Sequence, residues 1–148
     1  MYNAQCKIKN RLIQLWIVHC ALVIGACSVP NLEKPECTQA RDTVKQFYSF
    51  HFGNDMALTV ENLKARERFL TSDLFKSLSA SAGSEDYFTK SAAPAKTFKI
   101  AKCDAPQPDK ADIRVQLYWR DDAKTVQKEV NVETVRQNDT WLINKVSN

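Results

Sequence analysis

The sequence predicts an α+β fold: N-terminal helices packed on a C-terminal antiparallel β-meander. Three observations carry this. Apolar positions recur at helical spacing between Ala40 and His51, and again through residues 60–80. After Pro94 the apolar period drops from 3.6 to two. All the helical segments precede all the strands, an order that places helices on one face of an antiparallel sheet. The expected organisation is a targeting segment over residues 1–26, a tether over 27–36, and one domain over 37–148, long enough for a real core.

The first helix is expected to start at Thr38, acting as N-cap. Ala40, Val44, Phe47, Tyr48 and His51 share one face, and the helix should stop near Gly53-Asn54. A second helix, "VENLKARERFL", begins at Thr59 or Val60 and carries Leu63 and Leu70 among many charges. Glu61, Lys64, Arg66, Glu67 and Arg68 read as a solvated face with i,i+3 and i,i+4 pairs, the other use of such a face being docking. Thr71 and Ser72 look like caps of a third helix, "DLFKSLSASA", ending at Gly83.

Phe98 and Ile100 open the strand region. In "ADIRVQLYWR", Ala111, Ile113, Val115, Leu117 and Trp119 share one face, and Asp112, Arg114, Gln116, Tyr118 and Arg120 the other. That second face suits solvent or a polar interface. Residues 121–124 read as a turn. Val126, Val130 and Val132 are in register, and Val135 is out of phase, so a bulge or a change of face is expected there. Asn138-Asp139 is a tight turn before the closing strand "TWLINKV".

The segment before the domain has its own logic. Lys7, Lys9 and Arg11 precede a fifteen-residue apolar run, Leu12 to Ala26, interrupted by Gln14 and His19. That is shorter than the roughly 20 residues a spanning helix needs, and matches the layout of a signal peptide. It ends Ile24-Gly25-Ala26-Cys27, which resembles the lipobox of bacterial lipoproteins. The resemblance implies cleavage before Cys27 and lipidation of its thiol, anchoring the protein to a membrane. Ser28, where an aspartate would retain the protein at the inner membrane, implies the outer membrane, with the domain in the periplasm. An ordinary cleaved signal peptide is the alternative. Three of the four net positive charges leave with residues 1–26, so residues 27–148 carry a net charge of +1. Nothing in so balanced a chain supplies a phosphate-neutralising face, and no nucleic-acid partner is expected.

Of five cysteines, Cys6 and Cys20 lie in the targeting segment and Cys27 at the lipobox. Cys37 and Cys103 remain, and export favours a disulfide between them; two separate buried thiols are the alternative, with metal binding a weak third. His51 has no second histidine at zinc-ligand spacing, so neither metal nor cofactor is expected.

"RDTVKQFYSFHF", "RFLTSDLFKSL" and the terminal "NDTWLINKV" together resemble small exported bacterial proteins of the nuclear-transport-factor-2-like (cystatin-like) superfamily, and within it a domain of unknown function found in lipoproteins. The resemblance spans about residues 38–147. It implies a curved sheet around a helix with a conical cavity, which is a site in some members and packed with side chains in others. Tyr48 and His51 would be the pocket residues. His51, with Tyr48 one turn back and Asp55 just after it, could move protons, but its position on an apolar face reads first as a core-edge histidine with satisfied nitrogens. Its replacement by glutamine or phenylalanine would then cost no more than about 1–2 kcal/mol. No nucleophile elbow or phosphate loop occurs. The leading expectation is a lipid-anchored, non-enzymatic envelope protein that binds a protein partner or a small ligand. The alternatives are a small acid–base enzyme using the pocket, and an immunity or inhibitor lipoprotein.

Overall fold

In a computed structural model, the described residues are 33–81, 85–120 and 125–148; the expected signal segment, Cys27, Ser28, Gly83 and the turn expected at 121–124 lie outside them. Among the described residues three helices come first: α1 (Pro35–Phe52), α2 (Val60–Arg66), continued by a 3₁₀ turn (Glu67–Phe69), and α3 (Ser72–Ser79). Four strands follow: β1 (Thr97–Gln107), β2 (Lys110–Arg120), β3 (Thr125–Gln137) and β4 (Thr140–Ser147). They form one antiparallel sheet in sequential order, an α+β fold. Among the described residues no helix is long and apolar enough to cross a membrane.

The helix starts were legible, with one correction. Helix α1 begins at Pro35, not after Thr38, and Lys34 precedes it with no side-chain cap. Proline fixes φ near −65° and lacks the N–H that a first turn leaves unpaired, so it starts a helix without a capping hydroxyl. Pro35 and Glu36, expected in the tether, are therefore helical. Thr59 and Thr71 cap α2 and α3, accepting from the Asn62 and Leu74 N–H groups at 3.2 and 3.3 Å. Helix α2 is shorter than the run to Leu70 suggested. Its last turn tightens to 3₁₀, and Leu70-Thr71 goes extended to meet β4, the Thr71 N–H bonding to the Ile143 carbonyl at 3.0 Å. Helix α3 likewise ends at Ser79, short of Gly83.

The sheet's inner face follows period two. Ala111, Ile113, Val115 and Leu117 of β2 pair with Thr134, Val132, Val130 and Lys128 of β3 in an unbroken ladder. The irregularity expected at Val135 falls elsewhere. It lies in β4, where Asn144 is the extra residue between Lys145, opposite Glu133, and Ile143, opposite Thr134. Strand β3 does not change face, because the buried inward position belongs to Thr134, whose hydroxyl donates to the Ala111 carbonyl at 2.9 Å. Satisfying that hydroxyl lets a polar residue hold a core position. Asn138 and Asp139 have φ of 48° and 61°, the paired left-handed geometry of a two-residue hairpin turn.

Helix α1 lies against this inner face, burying Ala40, Val44, Phe47, Tyr48 and His51. Phe47 is the centre of an aromatic cluster, with ring centroids 5.2 Å from Tyr48, 5.5 Å from His51, 5.7 Å from Phe69 and 4.6 Å from Phe88. Such offset and edge contacts add to the stabilisation from burial. At the other end of α1, Cys37 Sγ lies 2.09 Å from Cys103 Sγ, disulfide distance, joining the helix's first turn to β1 where its pairing with β2 is irregular.

Removing the bridge as Cys37→Ala with Cys103→Ala is expected to lower unfolding free energy by about 2–4 kcal/mol, most of it from the freer unfolded chain. Urea denaturation of the oxidised protein against the double variant measures this. Equal midpoints, or two freely alkylated thiols in the unreduced protein, would contradict the bridge.

Candidate functional site

Two clefts on the described surface compare instructively. The larger, about 760 Å³, lies at the sheet's outer face beside Asp104, Asp112, Arg114, Glu129 and Asn131. Its polar groups largely answer one another: Arg114 reaches Glu129 at 3.5 Å, and Asn131 donates to Asp112 at 3.2 Å. The smaller, about 570 Å³, lies beside Asn54, Asp55, Leu58, Glu85, Asp86 and Ser91. It is the better candidate, because a buried polar chain ends in it.

That chain runs Arg66–His51–Asp86. Arg66 of α2 is 1% exposed, and each of its three guanidinium nitrogens is engaged. Its Nε–H donates to His51 Nδ1 at 2.8 Å, one Nη to the Asn62 carbonyl at 2.6 Å, and the other to the Asp55 carbonyl at 2.7 Å. With Nδ1 accepting, the imidazole carries its proton on Nε2 and donates to Asp86 Oδ2 at 2.8 Å. Asp86, its side chain 12% exposed, also accepts from the Thr89 hydroxyl at 2.8 Å and the Phe88 N–H at 2.9 Å. Burial pulls the Arg66 guanidinium below its ordinary pKa, against the opposing pull of Asp86 and Asp55. Burial pushes the Asp86 carboxyl up, but hydrogen bonds from His51, Phe88 and Thr89 outweigh it, and the net shift is downward.

The expected pocket residues sit in the middle of this arrangement. Tyr48 and His51 are both 0% exposed, so no water-sized space adjoins either ring. Tyr48 does not bond to His51; its hydroxyl donates to the Phe88 carbonyl at 2.7 Å. Burial, with Asp86 and Tyr87 nearby, holds its pKa well above the ordinary value, keeping the phenol protonated. Asp55, the expected acidic neighbour of His51, instead caps its own loop, accepting from Ala57 N–H and Asn62 Nδ2. Asp86 takes that place. Both imidazole nitrogens are therefore committed within the protein, and the ring offers a substrate neither a lone pair nor a proton.

Two members escaped the sequence reading. Arg66 was grouped with a solvated face, and that is corrected here: the structure buries it. The signal was present, since Leu63, Arg66 and Leu70 stand at i, i+3 and i+7 on one stripe. Asp86 comes from the segment between α3 and β1, which has no periodicity to reveal an inward-facing residue. At the other end of α1, the Glu33 carboxylate lies within 4.8 Å of both Cys37 and Cys103 sulfurs. Sulfurs joined to each other have no thiolate for a metal ion.

No family model matches the chain, and no curated protein matches it. Among solved structures, a crystal structure of a protein of unknown function from Bacteroides thetaiotaomicron VPI-5482 is similar, with a TM-score of 0.53. The match covers 76% of this chain and 91% of that one at 14% identity, and it bears on the fold alone.

His51→Phe, which deletes both bonds, is expected to cost about 3–5 kcal/mol, because it strands a buried guanidinium and a mostly buried carboxylate. His51→Gln keeps a donor and an acceptor at similar spacing and should cost less. This revises upward the small cost expected for a core-edge histidine. Comparable urea midpoints for the two variants would show that the ring's polarity is immaterial.

The depressed Asp86 pKa sets an acid dependence. Its stabilisation is fully present above the unfolded carboxyl value of about 3.9 and is lost as pH falls through the lower folded value. Asp86→Asn should therefore flatten the acid limb of a stability-against-pH curve by up to about 1.4 kcal/mol per pH unit, one proton's worth. Identical limbs in urea titrations would exclude Asp86 as a contributor.

Proposed function

We propose that this chain is a bacterial lipoprotein, cut before Cys27, lipidated there, and held by its acyl chains at the inner leaflet of the outer membrane. The domain stands in the periplasm as a non-enzymatic module that binds an envelope protein partner or a small ligand. The observation that carries the reading is Ile24-Gly25-Ala26-Cys27, behind a basic start and a short apolar run. Small residues before a cysteine admit the backbone to a narrow peptidase site, and the thiolate is the nucleophile that takes the lipid. Each buried methylene contributes about 0.8 kcal/mol, so several acyl chains make a lasting anchor. The bridge at Cys37 supports an oxidising compartment. The engaged nitrogens of His51 favour a binding module over acid–base chemistry. We read the fold as nuclear-transport-factor-2-like, with the conical space taken by Phe47, Tyr48 and Phe88.

Metabolic labelling with a clickable palmitate analogue should mark the wild type and not Cys27→Ser, and density gradients of a Gram-negative host should place the label with outer-membrane markers. Ser28→Asp should move it inward where the aspartate rule operates. Equal labelling of wild type and Cys27→Ser would end the lipoprotein reading. Crosslinking in intact cells then identifies what the domain touches.

A further inference from the structure

Residues 85–96, the described stretch leading into β1, contribute Phe88, Thr89 and Ala95 to the buried interior although they form neither helix nor strand. A one-pair bridge, Asp86 to Ser91, and a turn closed by the Lys90 N–H on the Asp86 carbonyl are its internal order. It is fastened chiefly by side-chain bonds, spread over four neighbouring elements. From α1, His51 holds the Asp86 carboxylate and Tyr48 the Phe88 carbonyl. From β2, Trp119 Nε1 donates to the Ala93 carbonyl at 2.8 Å. From β3, Lys128 Nζ donates to the Lys90 carbonyl. On β4, the Val146 N–H donates to the Tyr87 hydroxyl at 3.2 Å.

The part of α1 beneath this strap has a definite chemistry. The Phe47 ring lies 4.6 Å from the Phe88 ring, tilted by 57°, and the His51 ring meets Phe88 edge-on at 5.3 Å. Two donors flank the ring slot: Tyr48 O–H and His51 Nε2–H. Arg66, by donating to Nδ1, forces Nε2 to be the donor. The cradle thus takes an aromatic ring between two acceptors, and the Arg66 guanidinium behind the imidazole favours an anion at the His51 end. Asp86-Tyr87-Phe88 meets that demand with a carboxylate, a backbone carbonyl and a phenyl group. The carboxylate end opens on the 570 Å³ cleft, which gives a competing chain a way in.

We propose that Phe47, Tyr48 and His51 form a recognition cradle for a peptide carrying an acidic residue two positions before an aromatic one, and that the strap is its intramolecular occupant. The strap holds the site closed until such a peptide displaces it. This deepens the reading of the domain as a binding module and rests on it. Its failure would leave Cys27 labelling, and crosslinks made through any other surface, untouched.

The test uses the double variant Asp86→Ala with Phe88→Ala, the single variant Phe88→Ala, and wild type. The probe is a fluorescent peptide of strap sequence, Glu-Asp-Tyr-Phe-Thr-Lys-Ser, followed by polarisation. Saturable binding to the variants, at least about tenfold weaker to wild type, is expected, and replacing the probe's aspartate by asparagine should weaken it about tenfold. A folded variant that shows no saturable binding at about 1 mM probe would overturn the proposal. So would equal binding of the aspartate and asparagine probes. Loss of folding in both variants would also overturn it, because an exchangeable occupant must be removable.

Discussion

A buried guanidinium organises this domain. A charge withdrawn from water is tolerated only when its polar groups find partners, and each guanidinium nitrogen of Arg66 finds one, from three directions. One bond goes to its own helix at Asn62, one to the loop after α1 at Asp55, and one to the side chain of His51. The loop geometry around residues 53–58, the packing of α2 near the end of α1 and the tautomer of His51 are all conditions of that arrangement. The same constraint passes on to Asp86, the acceptor that His51's outward-facing proton requires. Polar satisfaction, relayed through one imidazole, is thus what places an irregular segment against the helices.

Apolar packing works on the same residues from the other side. Phe47 stacks on the His51 ring with an interplanar angle of 12° and also meets Tyr48, Phe69 and Phe88. The ring that links Arg66 to Asp86 is held flat by a hydrocarbon neighbour, so its nitrogens are aimed as well as satisfied. On the sheet, Thr134 shows the same economy: its hydroxyl finds the Ala111 carbonyl, and the ladder keeps its alternation. In both places a polar group sits in the interior because a partner is built beside it.

What the sequence disclosed follows from how local each determinant is. Helices α2 and α3 were legible because Thr59 and Thr71 cap them within three residues, and β2 because alternation needs only its own ten residues. The start of α1 was misplaced because proline and threonine both signal helix starts, and the fixed φ of Pro35 won over the hydroxyl of Thr38. The irregularity near Val135 was sensed in the wrong strand, since a phase slip in one strand can be absorbed by its neighbour, here at Asn144. His51 and Tyr48 were singled out from their spacing on one helix face. Arg66 was hidden by the charges around it, although its spacing from Leu63 and Leu70 pointed inward. Asp86 was beyond reach, because its role depends on a contact 35 residues away in sequence, made by a segment with no period of its own.

The bond between Cys37 and Cys103 has a consequence for the life of the molecule after damage. The covalent loop it closes contains nearly all of α1, both shorter helices and the strap, while β2, β3 and β4 lie beyond it. A protease that nicks the backbone anywhere between residues 38 and 102, including the exposed turn after α1, yields two fragments that remain one molecule. The sheet stays attached to the segment that carries Cys27. Separating them takes a second insult, reduction of the bridge, so a single scission leaves the domain's halves in register to close again.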